Sequence, residues 1–151
     1  MAALSSEMLH ATTISIEDRA VMLCGVSGIG KSDLALRLID RGAVLVSDDY
    51  TLVKRSGSGV QARLLAAPPG TIAGRMEVRG IGLIDMVYAT DVPVALVVDL
   101  FDVVDRMPET PLLRTIAGVD VPVMKIAPRE ASAPIKVELA LKAFGLPPGA
   151  S

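Results

Sequence analysis

The chain has 151 residues and a formal net charge of −2, without a basic run or an aromatic–basic platform, so it offers nucleic acid no bulk attraction. Half of its residues are apolar, yet no apolar run approaches the roughly 20 residues of a membrane span. The length suits one soluble domain with an aliphatic core, since there is no Trp and only two Phe and two Tyr.

The opening residues 1–7 lack the basic start and long apolar region of a secretory leader, which points to the cytoplasm. Residues 9–16 alternate loosely, are rich in Thr and Ile, and turn at Glu17-Asp18-Arg19 into 20–24, so a hairpin is expected. Its second strand ends at Cys24. As the only cysteine, Cys24 excludes an intramolecular disulfide and a thiolate zinc cluster, and it reads as a small core filler.

Next comes Gly25-Val26-Ser27-Gly28-Ile29-Gly30-Lys31-Ser32, a match to G-x-x-x-x-G-K-[ST] between an apolar strand and a helical pattern. Glycines let backbone N–H groups wrap around phosphates, Lys31 is placed to reach the terminal phosphates, and Ser32 can set its hydroxyl on Mg²⁺. The chain is therefore expected to bind a nucleoside triphosphate. From Lys31 the pattern is helical, with Leu34 and Leu38 four apart, Ala35 and Ile39 beside them, and Gly42 as the stop.

A short buried strand over 43–46 ends at Ser47-Asp48-Asp49, at the carboxyl end of a strand, where open α/β sheets bind ligands. Of two adjacent carboxylates there, one can accept a proton from an attacking hydroxyl while the other orients Mg²⁺ or its waters. Segments 51–54 and 60–65 flank Ser56-Gly57-Ser58-Gly59 as a second hairpin with an exposed tip. After the break at 67–70, residues 76–85 place charges and glycines between apolar residues and read as irregular; Glu77 and Arg79 there are within reach of a metal and a phosphate.

Residues 94–100 form the strongest strand signal, expected at the centre of the sheet, and its Asp99 is a second candidate for the metal carboxylate. A third hairpin is expected from 112–114 and 121–126, with Pro122 demoting one strand to an edge. The last helix starts at Ser132 as N-cap with Pro134 in its first turn, buries Ile135, Leu139 and Ala143, and stops at Gly145 and Pro147. Hairpins force antiparallel neighbours, so the fold class is α/β with a mixed sheet, in a single domain over 1–151. On the residues alone, three uses of a triphosphate stay open: protein phosphorylation, a small-metabolite kinase, and a regulatory nucleotide switch. An arginine-rich lid and an Asn-Lys-x-Asp guanine-reading motif, marks of the latter two, are not visible.

His10-Ala11, the loop 25–32, Leu45-Val46-Ser47-Asp48-Asp49 and Met76-Glu77-Val78-Arg79-Gly80-Ile81-Gly82 share a further property. In order and spacing they closely resemble the catalytic domain of the bacterial HPr kinase/phosphorylase, in its short alphaproteobacterial type without an N-terminal domain. The last block is far more specific than the phosphate loop. The resemblance implies a P-loop nucleotide-binding fold like that of phosphoenolpyruvate carboxykinase, and an ATP- and Mg²⁺-dependent enzyme acting on a serine of the phosphocarrier HPr. It also implies a reverse reaction that consumes phosphate and forms pyrophosphate, and a homo-oligomer, typically a hexamer. By position, the loop 25–32 holds the phosphates, Ser32 and Glu77 ligate Mg²⁺, and Asp48 is the catalytic acid–base. Asp49 supports Asp48, His10 orients the acidic pair through a hydrogen bond, and Arg79, Gly80 and Gly82 serve phosphorolysis. Two departures stand out. Val26 occupies an often polar loop position, and Pro128-Arg129-Glu130-Ala131-Ser132 replaces a Pro-Gly-Arg-Asn stretch, leaving Arg129 as the available arginine.

Overall fold

The computed structural model describes residues 5–105 and 112–148. In chain order the described elements are β1 (Ser6–Leu9), β2 (Ala11–Ile16), β3 (Arg19–Cys24), α1 (Lys31–Asp40), β4 (Val44–Ser47), β5 (Thr51–Ser56) and β6 (Arg63–Ala67). They continue with β7 (Arg75–Val78), β8 (Gly82–Asp85), β9 (Val92–Leu100), β10 (Leu112–Ile116), β11 (Val119–Ile126) and α2 (Ala133–Phe144). The main sheet runs β1-β5-β6-β9-β3-β2-β4, β11 also pairs with β9 and carries β10, and β7–β8 stand apart as a two-stranded ribbon.

Strand β9 is almost continuously apolar because both of its faces are covered. Side chains alternate across the sheet with period two. On one face Val21, Leu23, Leu96 and Val98 pack under Leu34, Ala35 and Leu38 of α1 and Val137 and Leu141 of α2. On the other, Ala20, Met22 and Val97 meet Val53, Leu64, Val121 and Val123 from the curling β5, β6 and β11.

Strand directions decide where chemistry can gather. β3 runs parallel to β9, β2 is antiparallel to β3, and β4 is antiparallel to β2. β3, β4 and β9 therefore all finish at one edge of the sheet, the edge where β2 begins. Cys24, Ser47, Leu100 and the His10 bend are brought to that edge by topology alone. β9 also lies antiparallel to β6 and parallel to β11, so the sheet is mixed as expected.

Five expectations need correction. The strand expected over 9–16 is two strands, because the chain bends at His10: β1 pairs with β5, whereas β2 pairs with β3 and β4. Residues 76–85 are not irregular; β7 and β8 form an in-register hairpin, Met76 opposite Ile84 and Glu77 opposite Leu83, turning over 79–81. β11 is internal where Val123–Ile126 pair with β9, and the edge strand is β10; Pro122, opposite Leu113, precedes the β9 register. The second hairpin is present, but Val60 lies in a 3₁₀ turn at its tip rather than in a strand.

The fifth correction concerns α2. It buries Ala133, Val137, Ala140 and Leu141, while Ile135, Leu139 and Ala143 face outward. Both sides carry apolar residues at helical spacing, and the small Ala133 and Ala140 let the helix lie close on the sheet. Ser132 stands at the N-cap position without a side-chain cap bond; its carbonyl accepts the Lys136 N–H at 2.9 Å. Among the described residues no helix is long and apolar enough to cross a membrane.

Leu141 is 2% exposed and Leu139 60%. Leu141→Ala should cost about 2–5 kcal/mol in urea unfolding, and Leu139→Ala about 0.5 kcal/mol or less. Equal losses would contradict the observed seating of α2.

Candidate active site

The phosphate loop leaves β3 at Gly25, where a Cβ would lie 2.9 Å from Ile29 Cγ2 and 3.3 Å from Leu100 Cβ. Only glycine permits this close passage over the end of β9. Ile29 is buried and anchors the loop, and Gly30 adopts φ 116° at the N-cap of α1. That left-handed turn aims the first N–H groups of α1 outward, where they attract an anion. Lys31 is buried, and its Nζ donates to the carbonyls of Gly25 at 2.8 Å and Val26 at 3.1 Å, so the loop curls around one ammonium.

β4 reaches the same edge with a shifted register: Ile14 pairs with Leu45 but Thr13 with Ser47. The bulge sets Asp48 opposite Thr12. The turn that follows is tight. Ser47 Oγ donates to the Tyr50 carbonyl, the Tyr50 N–H donates to the Asp48 carbonyl at 2.8 Å, and Asp49 adopts φ 69°.

The Asp48 side chain turns inward and the residue is only 8% exposed. Its Oδ1 accepts the Thr12 hydroxyl at 3.1 Å and the Ser32 hydroxyl at 2.6 Å, and its Oδ2 accepts the backbone N–H of Glu77 at 3.1 Å. Asp49 turns outward, 61% exposed, with Oδ1 2.9 Å from His10 Nε2. The His10 ring in turn stacks on Tyr50 with centroids 5.1 Å apart. The expected contact between His10 and the acidic pair is thus made, and it is made to Asp49.

A cleft of about 620 Å³ gathers His10, Ser27, Gly28, Gly30, Lys31, Ser32, Asp49, Glu77, Arg79 and Arg129. Gly25, Val26, Ile29 and Asp48 do not line it: Val26 is exposed elsewhere, and Asp48 lies beneath Ser32 and Glu77. Asp99 is also outside. Arg114 holds its carboxylate at 2.6 and 3.1 Å, which raises the arginine's pKa and leaves Asp48 as the carboxylate in contact with Ser32. The oxygen donors of Ser32 and Glu77, both on the cleft wall, suit a hard cation such as Mg²⁺. Among the described residues no three carboxylates, histidines or cysteines converge into a closed metal cage.

A sequence model described as the HPr Serine kinase C-terminal domain matches residues 2–144. The chain belongs to that family. It is 32% identical over 133 residues to the HPr kinase/phosphorylase of Chlorobium luteolum, a match covering 80% of this chain and 39% of that one. It is 41% identical over 80 residues to the Chlorobaculum tepidum protein of the same name, covering 53% and 23%. The chain thus matches 23–39% of the length of these relatives. Among solved structures, the Hpr(Ser) kinase/phosphatase of Coxiella burnetii superposes with a TM-score of 0.71 at 28% identity, over 90% of this chain and 88% of that one. The P-loop, phosphoenolpyruvate carboxykinase-like α/β class expected from sequence is the fold found.

Within this domain, three contributors escaped the sequence reading. Thr12 looked like one of several strand threonines. Asp33 and Arg37 show the helical i,i+4 spacing and pair at 3.1 Å, a signal present in the sequence. What spacing could not reveal is that Arg37 also donates to the Pro128 carbonyl and, at 3.3 Å, to that of Glu130. This clamp holds Arg129 over the loop, where its guanidinium donates to the Gly28 carbonyl at 3.3 Å.

Cys24 is partly buried beneath the loop. Burial first, and the charge of Asp99 second, push its thiol from 9.0 up to about 11. Its folded value lies above the unfolded one, so the stability it contributes is complete below pH 9.0 and is lost as pH climbs through about 11. At pH 8 its thiolate fraction is about a hundredfold below that of an exposed thiol. Disulfide-exchange labelling of the folded chain should be slower than in urea by about tenfold or more, since the more basic thiolate is also the better nucleophile, and equal rates would contradict the assignment.

Proposed function

We propose that this domain transfers the γ-phosphoryl group of ATP, with Mg²⁺, to a serine hydroxyl of an HPr-like phosphocarrier, and also runs as a phosphorylase. The observation that carries this reading is the Asp48 carboxylate, bonded at once to Ser32 at the head of α1 and to the Glu77 N–H of the β7–β8 hairpin. Phosphate loop, acid–base group and family hairpin then serve one reaction centre.

A carboxylate offers about four acceptor positions, and Thr12, Ser32 and Glu77 use three of those on Asp48. The remaining one, on Oδ2, takes the proton of the incoming serine. Serine Oγ then attacks the γ-phosphorus in line, and the bond to the β-phosphate oxygen breaks. Lys31 and the N–H groups at the start of α1 neutralise charge on the departing ADP. Ser32 and Glu77, beside Asp48, would hold Mg²⁺, which offsets charge on the phosphate oxygens. In the reverse direction an oxygen of hydrogen phosphate attacks the phosphoseryl phosphorus, the bond from phosphorus to serine Oγ breaks, and Asp48 passes the phosphate's proton to that departing oxygen, leaving serine and pyrophosphate. Arg79 and Arg129, both on the cleft wall, are the cations available to the incoming phosphate. Asp49 and His10 shape the mouth where the carrier's serine enters. A cytoplasmic role in phosphotransferase-system regulation and assembly as a hexamer belong to the same reading.

Incubation with HPr, Mg²⁺ and ATP should yield phosphoserine on HPr by mass spectrometry. Absence of product with every HPr-like protein of the same cell would overturn the proposal. Asp48→Asn should lower kcat by about a thousandfold while leaving the nucleotide Kd within about twofold. Near-normal turnover would remove Asp48 as the acid–base.

A further inference from the structure

We propose that Thr12 is the positioning residue for both carboxylates of this site, an inference that rests on the reading of Asp48 as acid–base. Its hydroxyl donates to Asp48 Oδ1 at 3.1 Å and accepts the backbone N–H of Asp49 at 3.2 Å. One side-chain oxygen therefore governs two acidic residues that point in opposite directions.

The position itself does not call for a hydroxyl. Thr12 is fully buried in β2, two residues from Ile14 and so on the same face of the strand, the face that packs beneath Leu34 and Leu38 of α1. Valine would fill the same volume and bring no polar atom to satisfy, whereas a buried hydroxyl is unfavourable unless it is bonded. Both of Thr12's bonds go to the 48–49 segment. The neighbouring Thr13 gives the contrast. Thr51 Oγ1 donates to the Ala11 carbonyl at 2.9 Å, so the Thr13 hydroxyl is the donor in its 2.8 Å contact with Thr51 Oγ1, and that pair fastens β5 to β2.

Backbone geometry explains why the 48–49 peptide needs an anchor. The bulge between Thr13 and Ile14 brings Asp48 opposite Thr12, and Asp49 takes the left-handed region at φ 69°. A non-glycine residue is held there by its surroundings. The Thr12 oxygen fixes the peptide plane through the Asp49 N–H and the Asp48 carboxylate through Oδ1. With the hydroxyl gone, Oδ1 keeps only Ser32, and the Asp49 N–H loses its acceptor.

The test compares Thr12→Val with Thr12→Ser by two readouts. One is kcat and KM for ATP in phosphorylation of HPr; the other is native-state hydrogen exchange of the Asp49 amide, with the Val98 amide as the measure of global opening. Thr12→Val should lower kcat tenfold to about a hundredfold with KM for ATP within about twofold. It should also speed Asp49 exchange about tenfold or more while Val98 exchange is unchanged. Thr12→Ser should restore both. Unchanged Asp49 exchange in Thr12→Val, or a serine variant no better than valine, overturns the inference. If the wild-type chain phosphorylates no HPr while the Asp49 amide still responds to valine and recovers with serine, the positioning role stands and the kinase reading falls.

Discussion

The geometry of this domain turns on one buried carboxylate. Asp48 is shielded from water, so its charge must be met by donors within the fold, and they come from three segments distant in sequence: Thr12 in β2, Ser32 in α1 and the Glu77 N–H in β7. Each bond constrains a different part of the molecule. Through Ser32 the carboxylate is tied to the phosphate loop, through Glu77 to the β7–β8 ribbon that stands outside the main sheet, and through Thr12 to the turn that presents Asp49. Loss of any one donor leaves part of a buried charge unmatched, which is far more costly than loss of a surface ion pair.

Mixed topology makes this convergence possible. Since β2 runs antiparallel to both β3 and β4, the ends of β3 and β4 and the start of β2 share an edge. Phosphate loop, acidic pair and His10 then meet there without any long connection. The outward Asp49 pairs with His10 at the cleft mouth, while the inward Asp48 is bonded to Ser32 and the Glu77 N–H, so two adjacent aspartates have unlike surroundings. A second cavity of about 670 Å³, between α2 and β11, has an apolar wall that includes Phe101, Met124, Leu139 and Phe144. It carries none of the loop's phosphate-binding groups.

Much of this was legible in the chain, where local chemistry and spacing carry the information. The phosphate loop, the α1 pattern around Leu34 and Leu38, and the β-branched run of β9 read directly, whereas the pairing of His10 with the acidic turn came only from the family resemblance. The misreadings share a cause: the deciding contact was made by another segment. Residues 9–16 looked like one strand because the bend at His10 is set by which partner each half finds, β5 or β4. α2 has apolar residues on two sides, and the sheet chose the side with the smaller ones. Glycine-rich 76–85 looked irregular because pairing between β7 and β8 is a cross-strand property. Thr12 was hidden among β-branched strand residues, since a threonine that merely packs and one that bonds two aspartates look alike in sequence.

The central claim is that one carboxylate serves transfer to and from serine at a single site. The direct measurement is the loss caused by Asp48→Asn in two separate reactions: ATP-dependent phosphorylation of HPr, and phosphate-dependent release of pyrophosphate from phosphoserine-HPr. The expected result is that both rates fall together by about a thousandfold, since proton transfer at the same serine oxygen limits each. Retention of pyrophosphate formation at the wild-type rate while forward transfer is lost would contradict it.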